Sequence, residues 1–60
     1  MPGAGSVLVI DVEHVLQDVL GTLLVNNGFD YHPAMTAEEG LRVLRDEEVD
    51  VVLLDLMLPD

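Results

Sequence analysis

The sequence predicts a small α/β unit in which three parallel strands alternate with two helices. Two apolar runs, within residues 7–10 and 50–56, are continuous rather than alternating, which is typical of strands buried on both faces of a parallel sheet. Helical patterns occupy the segments between the strands, and the order β-α-β-α-β predicts right-handed crossovers. The chain has 60 residues, which is enough for one small domain or part of one.

The first helix is predicted over residues 13–27. The tripeptide Asn26-Asn27-Gly28 predicts that it ends in a left-handed conformation. Gly21, inside the helix, indicates close packing against a neighbour. The apolar side chains recur at helical spacing on a single stripe, which consists of Val15, Leu16, Val19, Leu20, Leu23 and Leu24.

The second half of the chain is predicted to contain a short polar strand, a helix and a buried strand. The strand at residues 29–34 includes Pro33, which favours an edge position or the end of the strand. Thr36 and Glu39 fit a capping box at the start of a helix over residues 37–46. Leu41 and Leu44 are expected to form the buried stripe of this helix, the third strand is predicted at residues 50–56, and residues 1–6 are expected to be a disordered tail.

Charge and composition exclude several classes of function. Twelve acidic residues against two arginines give a formal charge of −10, which repels phosphate backbones and anionic lipids. We therefore expect no direct nucleic acid contact and no membrane association. The chain has no cysteine, which leaves the redox compartment open. Its N-terminal residues lack the basic region of a signal peptide, so the cytoplasm is the expected location.

Two aspartates are predicted to meet at one edge of the sheet. After two right-handed crossovers, strand three can pair with strand one, which gives the strand order 2-1-3 and places the helices on opposite faces. The carboxyl ends of strands one and three then form a topological switch point, where open α/β sheets bind ligands. Asp11 follows the first strand and Asp55 lies at the end of the third. Two converging carboxylates repel each other, and a divalent cation such as Mg²⁺ relieves the repulsion.

The stretches VLVIDVEHVLQDVLGTLL and AMTAEEGLRVLRDEEVDVVLLDLMLPD resemble the N-terminal half of the receiver domain of two-component response regulators. The resemblance covers residues 7–60 and implies a flavodoxin-like fold, with a βαβαβ fragment that ends before strands 4 and 5. It also implies a partial receiver domain that takes part in phosphorelay signal transduction rather than an enzyme.

The resemblance assigns roles to individual residues. Asp55 falls on the phosphoacceptor aspartate, which a sensor histidine kinase phosphorylates. Asp11 falls on the first residue of the acidic pair that holds Mg²⁺, and Met57 falls on the position whose backbone carbonyl is a further metal ligand. The metal neutralises charge on the transferred phosphoryl group while two anions approach. The implied partners are the kinase and an output domain or effector outside this chain.

Two features depart from the family pattern. Val12 stands where the family has a second aspartate, which weakens the expected Mg²⁺ site, and the chain contains no lysine to pair with the phosphoryl group. A degenerate or truncated receiver that acts as an unphosphorylated interaction module is therefore the alternative. A third class, an aspartate-nucleophile phosphatase, would usually have a second acid two residues after the nucleophile. Met57 occupies that position, which disfavours an enzyme of this class. Asp11 could also act as a helix N-cap, and an exposed strand at residues 50–56 could support self-association.

Overall fold

The computed structural model describes residues 4–55, which form a parallel sheet with two helices. The strand order is β2-β1-β3, and the predicted βαβαβ architecture with strand order 2-1-3 is confirmed. This is the arrangement of a flavodoxin-like fragment. In chain order the elements are β1 (Gly5–Ile10), α1 (His14–Asn26), β2 (Phe29–Ala34), α2 (Ala37–Asp46) and β3 (Val51–Leu54).

The central strand β1 forms the middle of the core. It pairs in parallel with β2 over its whole length and with β3 over its last four residues. The side chains at residues 7–10 are between 0 and 6% exposed. Both faces of β1 are therefore covered, as its continuous apolar sequence predicts.

One face of the sheet packs against α2. Leu8, Ile10 and Ala34 form a buried cluster, and Val43 of α2 packs against it. A Cβ atom at Gly40 would overlap the Ile10 side chain, so the absence of a side chain at Gly40 allows the helix to approach β1 closely.

The opposite face of the sheet packs against α1. Tyr31 pairs with Val7 in the sheet, and both side chains lie on the face opposite to Leu8 because side chains alternate along a strand. A Cβ atom at Gly21 would overlap the Tyr31 ring, which agrees with the close packing predicted for this glycine. The two crossover helices therefore lie on opposite faces.

The predicted buried stripe of α2 is wrong. Leu41 is 64% exposed and Leu44 is 43% exposed. The helix instead directs Gly40 towards the sheet, with Val43 partly buried beside it. The physical reason is that the close approach at Gly40 fixes the rotation of the helix, so its leucines face away from Ile10.

The apolar stripe of α1 is also largely exposed. The residues of α1 that the structure buries are Gln17 and Gly21, which lie one turn apart on the face next to β2. The most exposed members of the stripe are Val15, Val19 and Leu23, at 74, 58 and 57%. The packed face is therefore rotated away from the centre of the apolar stripe.

The prediction of a disordered tail over residues 1–6 is wrong for its last two residues. Gly5 and Ser6 belong to β1. The Ser6 backbone N–H donates to Asp50 Oδ2 at 2.8 Å, and the Asp50 N–H donates to the Ser6 carbonyl at 2.9 Å. These hydrogen bonds extend the strand beyond its aliphatic part, whereas residues 1–3 lie outside the described part of the chain.

The remaining element boundaries lie close to the predicted ones. Helix α1 is one residue shorter at each end than residues 13–27, and Gly28 has a φ of +85°, as its predicted left-handed role requires. Thr36 Oγ1 accepts from the Glu39 N–H at 3.1 Å, and Glu39 Oε1 accepts from the Met35 N–H at 2.7 Å. Of the predicted strand at residues 50–56, β3 covers Val51–Leu54 and excludes Asp50 and Asp55, while residue 56 lies outside the described residues.

Candidate functional site at the carboxyl ends of β1 and β3

Asp11 and Asp55 directly follow two neighbouring parallel strands. The Asp55 N–H donates to the Ile10 carbonyl at 2.9 Å, which continues the ladder between β1 and β3. Extending the observed register by one residue beyond the pair Ile10 and Leu54 sets Asp11 opposite Asp55. Both aspartates line a cleft of about 190 Å³, together with Val9, Ile10, Leu20, Leu53 and Leu54.

Asp11 is held in place by hydrogen bonds on both its main chain and its side chain. The residue is 6% exposed. Its N–H donates to the Ala34 carbonyl at 3.0 Å, and its Oδ1 accepts from the Glu13 N–H at 2.9 Å. This side-chain bond to the backbone two residues on shapes the turn between β1 and α1.

The N-cap alternative for Asp11 is wrong in its position. Helix α1 begins at His14, and its N-cap residue is Glu13, whose side chain makes no capping hydrogen bond. Asp11 lies two residues earlier and orders the turn instead of the helical end. Asp11 also lines the cleft beside β3.

The other predicted site positions differ in their surroundings. Asp55 is partly buried and interacts with its neighbours. Val12, the residue after Asp11, is 46% exposed and has no oxygen or nitrogen in its side chain. Met57, the third predicted metal ligand, lies outside the described residues.

The two carboxylates are suitable ligands for Mg²⁺. Mg²⁺ usually keeps several waters and binds through one or two carboxylates plus phosphate oxygens of a substrate. Asp11 and Asp55 supply two carboxylates to one cleft. Within residues 4–55 no cluster of three or more histidine, cysteine or acidic side chains could hold a metal, so among the described residues this cleft offers two carboxylates.

Gln17 is a buried polar residue that the sequence interpretation missed. It is 4% exposed. Its Nε2 lies 3.0 Å from the Val9 carbonyl, 3.1 Å from the Asp11 carbonyl and 2.9 Å from the Ala34 carbonyl. The available signal was the spacing of Gln17 and Gly21, because a residue one turn before a close-packed glycine shares its face.

Tyr31 completes this hydrogen-bonded group from β2. Its hydroxyl lies 3.0 Å from the Gln17 carbonyl oxygen and is also hydrogen-bonded to Gln17 Oε1. Burial raises the pKa of the Tyr31 hydroxyl, and the negative charge of Asp18 raises it further. The protonated hydroxyl is therefore the favoured state, and it can donate to Gln17.

No protein-family model and no solved structure matches this chain. None of the helices within residues 4–55 is long and apolar enough to cross a membrane. The fold and the site define the class as a parallel α/β unit with paired carboxylates at its switch point.

Proposed function

We propose that this chain is the phosphoacceptor part of a response regulator receiver domain. In this proposal the Asp55 carboxylate accepts a phosphoryl group from a sensor histidine kinase. The observation that supports it best is the register of β1 and β3, which sets Asp55 opposite Asp11 at one cleft. Ligands bind at this place in open parallel sheets, and a carboxylate is a competent nucleophile.

The proposed reaction is a phosphoryl transfer between two side chains. A carboxylate oxygen of Asp55 forms a P–O bond while the P–N bond of the kinase phosphohistidine breaks. The electron pair of the P–N bond leaves with the imidazole nitrogen, which then takes up a proton from solvent. The products are an aspartyl phosphate and a neutral histidine on the kinase.

Asp11 and Asp55 are the described residues that would hold Mg²⁺ in this reaction. The resemblance adds the Met57 backbone carbonyl as a third ligand. When bound, Mg²⁺ would supply positive charge that offsets the repulsion between the phosphoryl oxygens and the carboxylates. The Glu13 N–H orients the Asp11 carboxylate by donating a hydrogen bond to its Oδ1. The carboxylate is therefore held in position before any metal ion binds.

The partners in this proposal are protein domains. A histidine kinase supplies the phosphoryl group, and an output domain or effector outside this chain responds to it. The formal charge of −10 is unfavourable for nucleic acid contact by this segment. A cytoplasmic location follows if the kinase domain that phosphorylates Asp55 is cytoplasmic.

Phosphorylation by a small donor tests the proposal. The chain is incubated with Mg²⁺ and labelled phosphoramidate, and hydroxylamine-labile phosphate is measured. We expect Asp55→Asn to abolish the label, because an amide cannot act as the carboxylate nucleophile. Asp46→Asn changes an acid at the end of α2 and should retain the label.

The outcome that would contradict the assignment is equally specific. Label that persists in Asp55→Asn with the same dependence on Mg²⁺ would mean that another residue accepts the phosphoryl group. Loss of label in Asp46→Asn as well would point to a general effect of removing negative charge.

The second candidate function is an interaction module that is not phosphorylated. It is favoured by Val12, an exposed hydrocarbon side chain where a second metal-binding acid would be expected. Self-association through β3 is one form that such an interaction could take, because this strand lies at the edge of the described sheet. A chain that binds its kinase but incorporates no phosphate with either Mg²⁺ or Mn²⁺ present would favour this alternative.

A further inference from the structure

The side-chain amide of Gln17 joins three segments of backbone around the carboxylate site. Its Nε2 donates to carbonyls near the carboxyl end of β1, in the turn after β1 and at the end of β2, namely those of Val9, Asp11 and Ala34. An amide nitrogen has two hydrogens, so the three carbonyls share them. These contacts restrain the backbone immediately before and after the point where Asp11 leaves the strand.

Three backbone carbonyls fix which way the Gln17 amide points, and Tyr31 holds its other end. The three carbonyl oxygens surround Nε2, while the Tyr31 hydroxyl is hydrogen-bonded to Oε1. Reversing the amide would place its carbonyl oxygen against three groups that can only accept hydrogen bonds. Gly21 lets the Tyr31 ring reach this position because a Cβ there would overlap the ring.

We propose that Gln17 is a positioning residue for the carboxylate pair, and that Tyr31 holds the Gln17 amide in the orientation this role needs. The inference rests on the proposed function of the site. Gln17 touches the Asp11 main chain and neither carboxylate, so it acts through Asp11. Outer groups that orient metal ligands commonly affect metal affinity about 10- to 100-fold when they are removed.

Binding of Mn²⁺ to the 60-residue chain distinguishes this role from a general contribution to folding. Gln17→Met keeps the length of the side chain but removes all of its donors. Val43→Ala creates a cavity in the cluster on the opposite face of the sheet and serves as a matched destabilised control. Dissociation constants are compared by calorimetry at a temperature where circular dichroism shows each variant to be fully folded.

We expect Gln17→Met to weaken Mn²⁺ binding by about 10-fold or more, and Val43→Ala to leave it unchanged. Tyr31→Phe keeps the ring and removes only the hydroxyl, so it should weaken binding in the same direction by a smaller factor. Because Tyr31→Phe removes only one oxygen atom, it keeps the proposal testable if Gln17→Met fails to fold.

Three results would overturn the proposal, and they can be told apart. If the unmodified chain binds Mn²⁺ and Gln17→Met or Tyr31→Phe binds it equally well, the positioning role fails while the proposed site remains. If the unmodified chain neither binds Mn²⁺ nor incorporates phosphate, the proposed function fails and the positioning role fails with it. Equal weakening by Val43→Ala would show that lost stability, rather than lost positioning, reduces the affinity.

Discussion

Asp11 and Asp55 lie opposite each other because of strand register. Neither side chain belongs to the apolar core cluster. Two like charges at one cleft destabilise each other unless a cation or a bound proton relieves the repulsion. The hydrogen bond from the Glu13 N–H to Asp11 stabilises one of the two charges.

Replacing Val12 with aspartate should strengthen divalent cation binding. Val12 is exposed and adjacent to Asp11, so the change adds an oxygen ligand without disturbing the core. Two unit charges about 4 Å apart near a protein surface interact by about 4 kcal/mol, so a tenfold gain in Mg²⁺ affinity, about 1.4 kcal/mol, is a modest expectation. Calorimetric titration with Mg²⁺ measures it.

Val15→Asp is the matched control for this change. Val15 is 74% exposed on α1, so it acquires the same charge at a position away from the cleft. An equal gain in both variants would mean that net charge, and not a ligand at position 12, determines the affinity. No gain in Val12→Asp would contradict the geometry proposed for the site.

The raised pKa of Tyr31 predicts a loss of stability at alkaline pH. Burial favours the neutral hydroxyl in the folded chain, and Asp18 adds to the effect. The folded state therefore binds the proton more tightly than the unfolded state, so the contribution of Tyr31 to stability is fully present below about pH 10 and is lost as pH rises through the higher folded pKa. Urea unfolding on both sides of pH 10 measures this fall.

Tyr31→Phe supplies the comparison for the alkaline effect. The variant has no hydroxyl to ionise, so its stability should depend less on pH in this range than that of the unmodified chain. Identical pH dependence of the two chains would assign the alkaline loss to other groups.

At the scale of elements, α1 is held to the sheet by a polar residue and a glycine. Gln17 and Gly21 are its buried residues in the structure, and Tyr31 of β2 contacts both. Val15, Val19 and Leu23 contribute little to this attachment because they are more than half exposed, whereas Leu20 and Leu24 are partly buried. The position of the helix therefore depends on close approach at Gly21.

Gly21→Ala should destabilise the fold even though alanine is the better helix former. The gain in helix propensity is about 1 kcal/mol at most, while forcing extra atoms into a packed contact costs about 1–3 kcal/mol. The added Cβ would overlap the Tyr31 ring, so the ring or the helix must move. Thr22→Ala, at an exposed neighbouring position, should instead stabilise slightly. Chemical denaturation compares the two variants, and equal stabilisation would show that the ring yields without cost.

The sequence predicted the order and direction of the elements because those depend on local signals. The continuous run at residues 7–10, the left-handed Gly28 and the pair Thr36 and Glu39 each identify a strand, a stop or a start without reference to distant contacts. The meeting of Asp11 and Asp55 followed from strand order alone, which topology rules restrict strongly.

The faces of the helices could not be predicted in the same way. Apolar periodicity identifies a stripe, but it does not show whether another element covers that stripe. Leu41 was misplaced because the contact between Gly40 and Ile10 decides the rotation of α2, and it depends on a residue far away in sequence. The burial of Gln17 was not predicted, because a single polar residue beside an apolar stripe has the same sequence pattern as a solvent-exposed position.

At the scale of the whole molecule, exposed apolar surface competes with negative charge. The four β3 side chains are between 41 and 54% exposed, and fully burying one aliphatic side chain is worth about 1.5–3 kcal/mol. Their burial in a pair of chains would contribute roughly 3–6 kcal/mol from each chain, comparable with the cost of association, about 4–15 kcal/mol. The charge of −10 on each copy opposes the pairing and is screened by salt.

We therefore expect the chain to self-associate weakly through β3, and more strongly at high salt. Edge strands pair with further strands through their backbone groups. Leu53→Lys should reduce the association by placing a charge on the edge, whereas Leu41→Lys, which adds the same charge on α2 and equally lowers the net negative charge, should not reduce it. Sedimentation across a range of protein and salt concentrations measures both effects. A monomer at every concentration and salt level would contradict the expectation.

The junction of Tyr31 with α1 has a spectroscopic consequence. The chain has one tyrosine and no tryptophan, so its long-wavelength ultraviolet absorbance and its fluorescence arise at a single position. That position touches Gln17 and Gly21 on α1 and belongs to β2. The emission of the unmodified protein therefore reports the environment between α1 and β2 without an added dye, and a change confined to α2 or β3 would have to be followed by another signal.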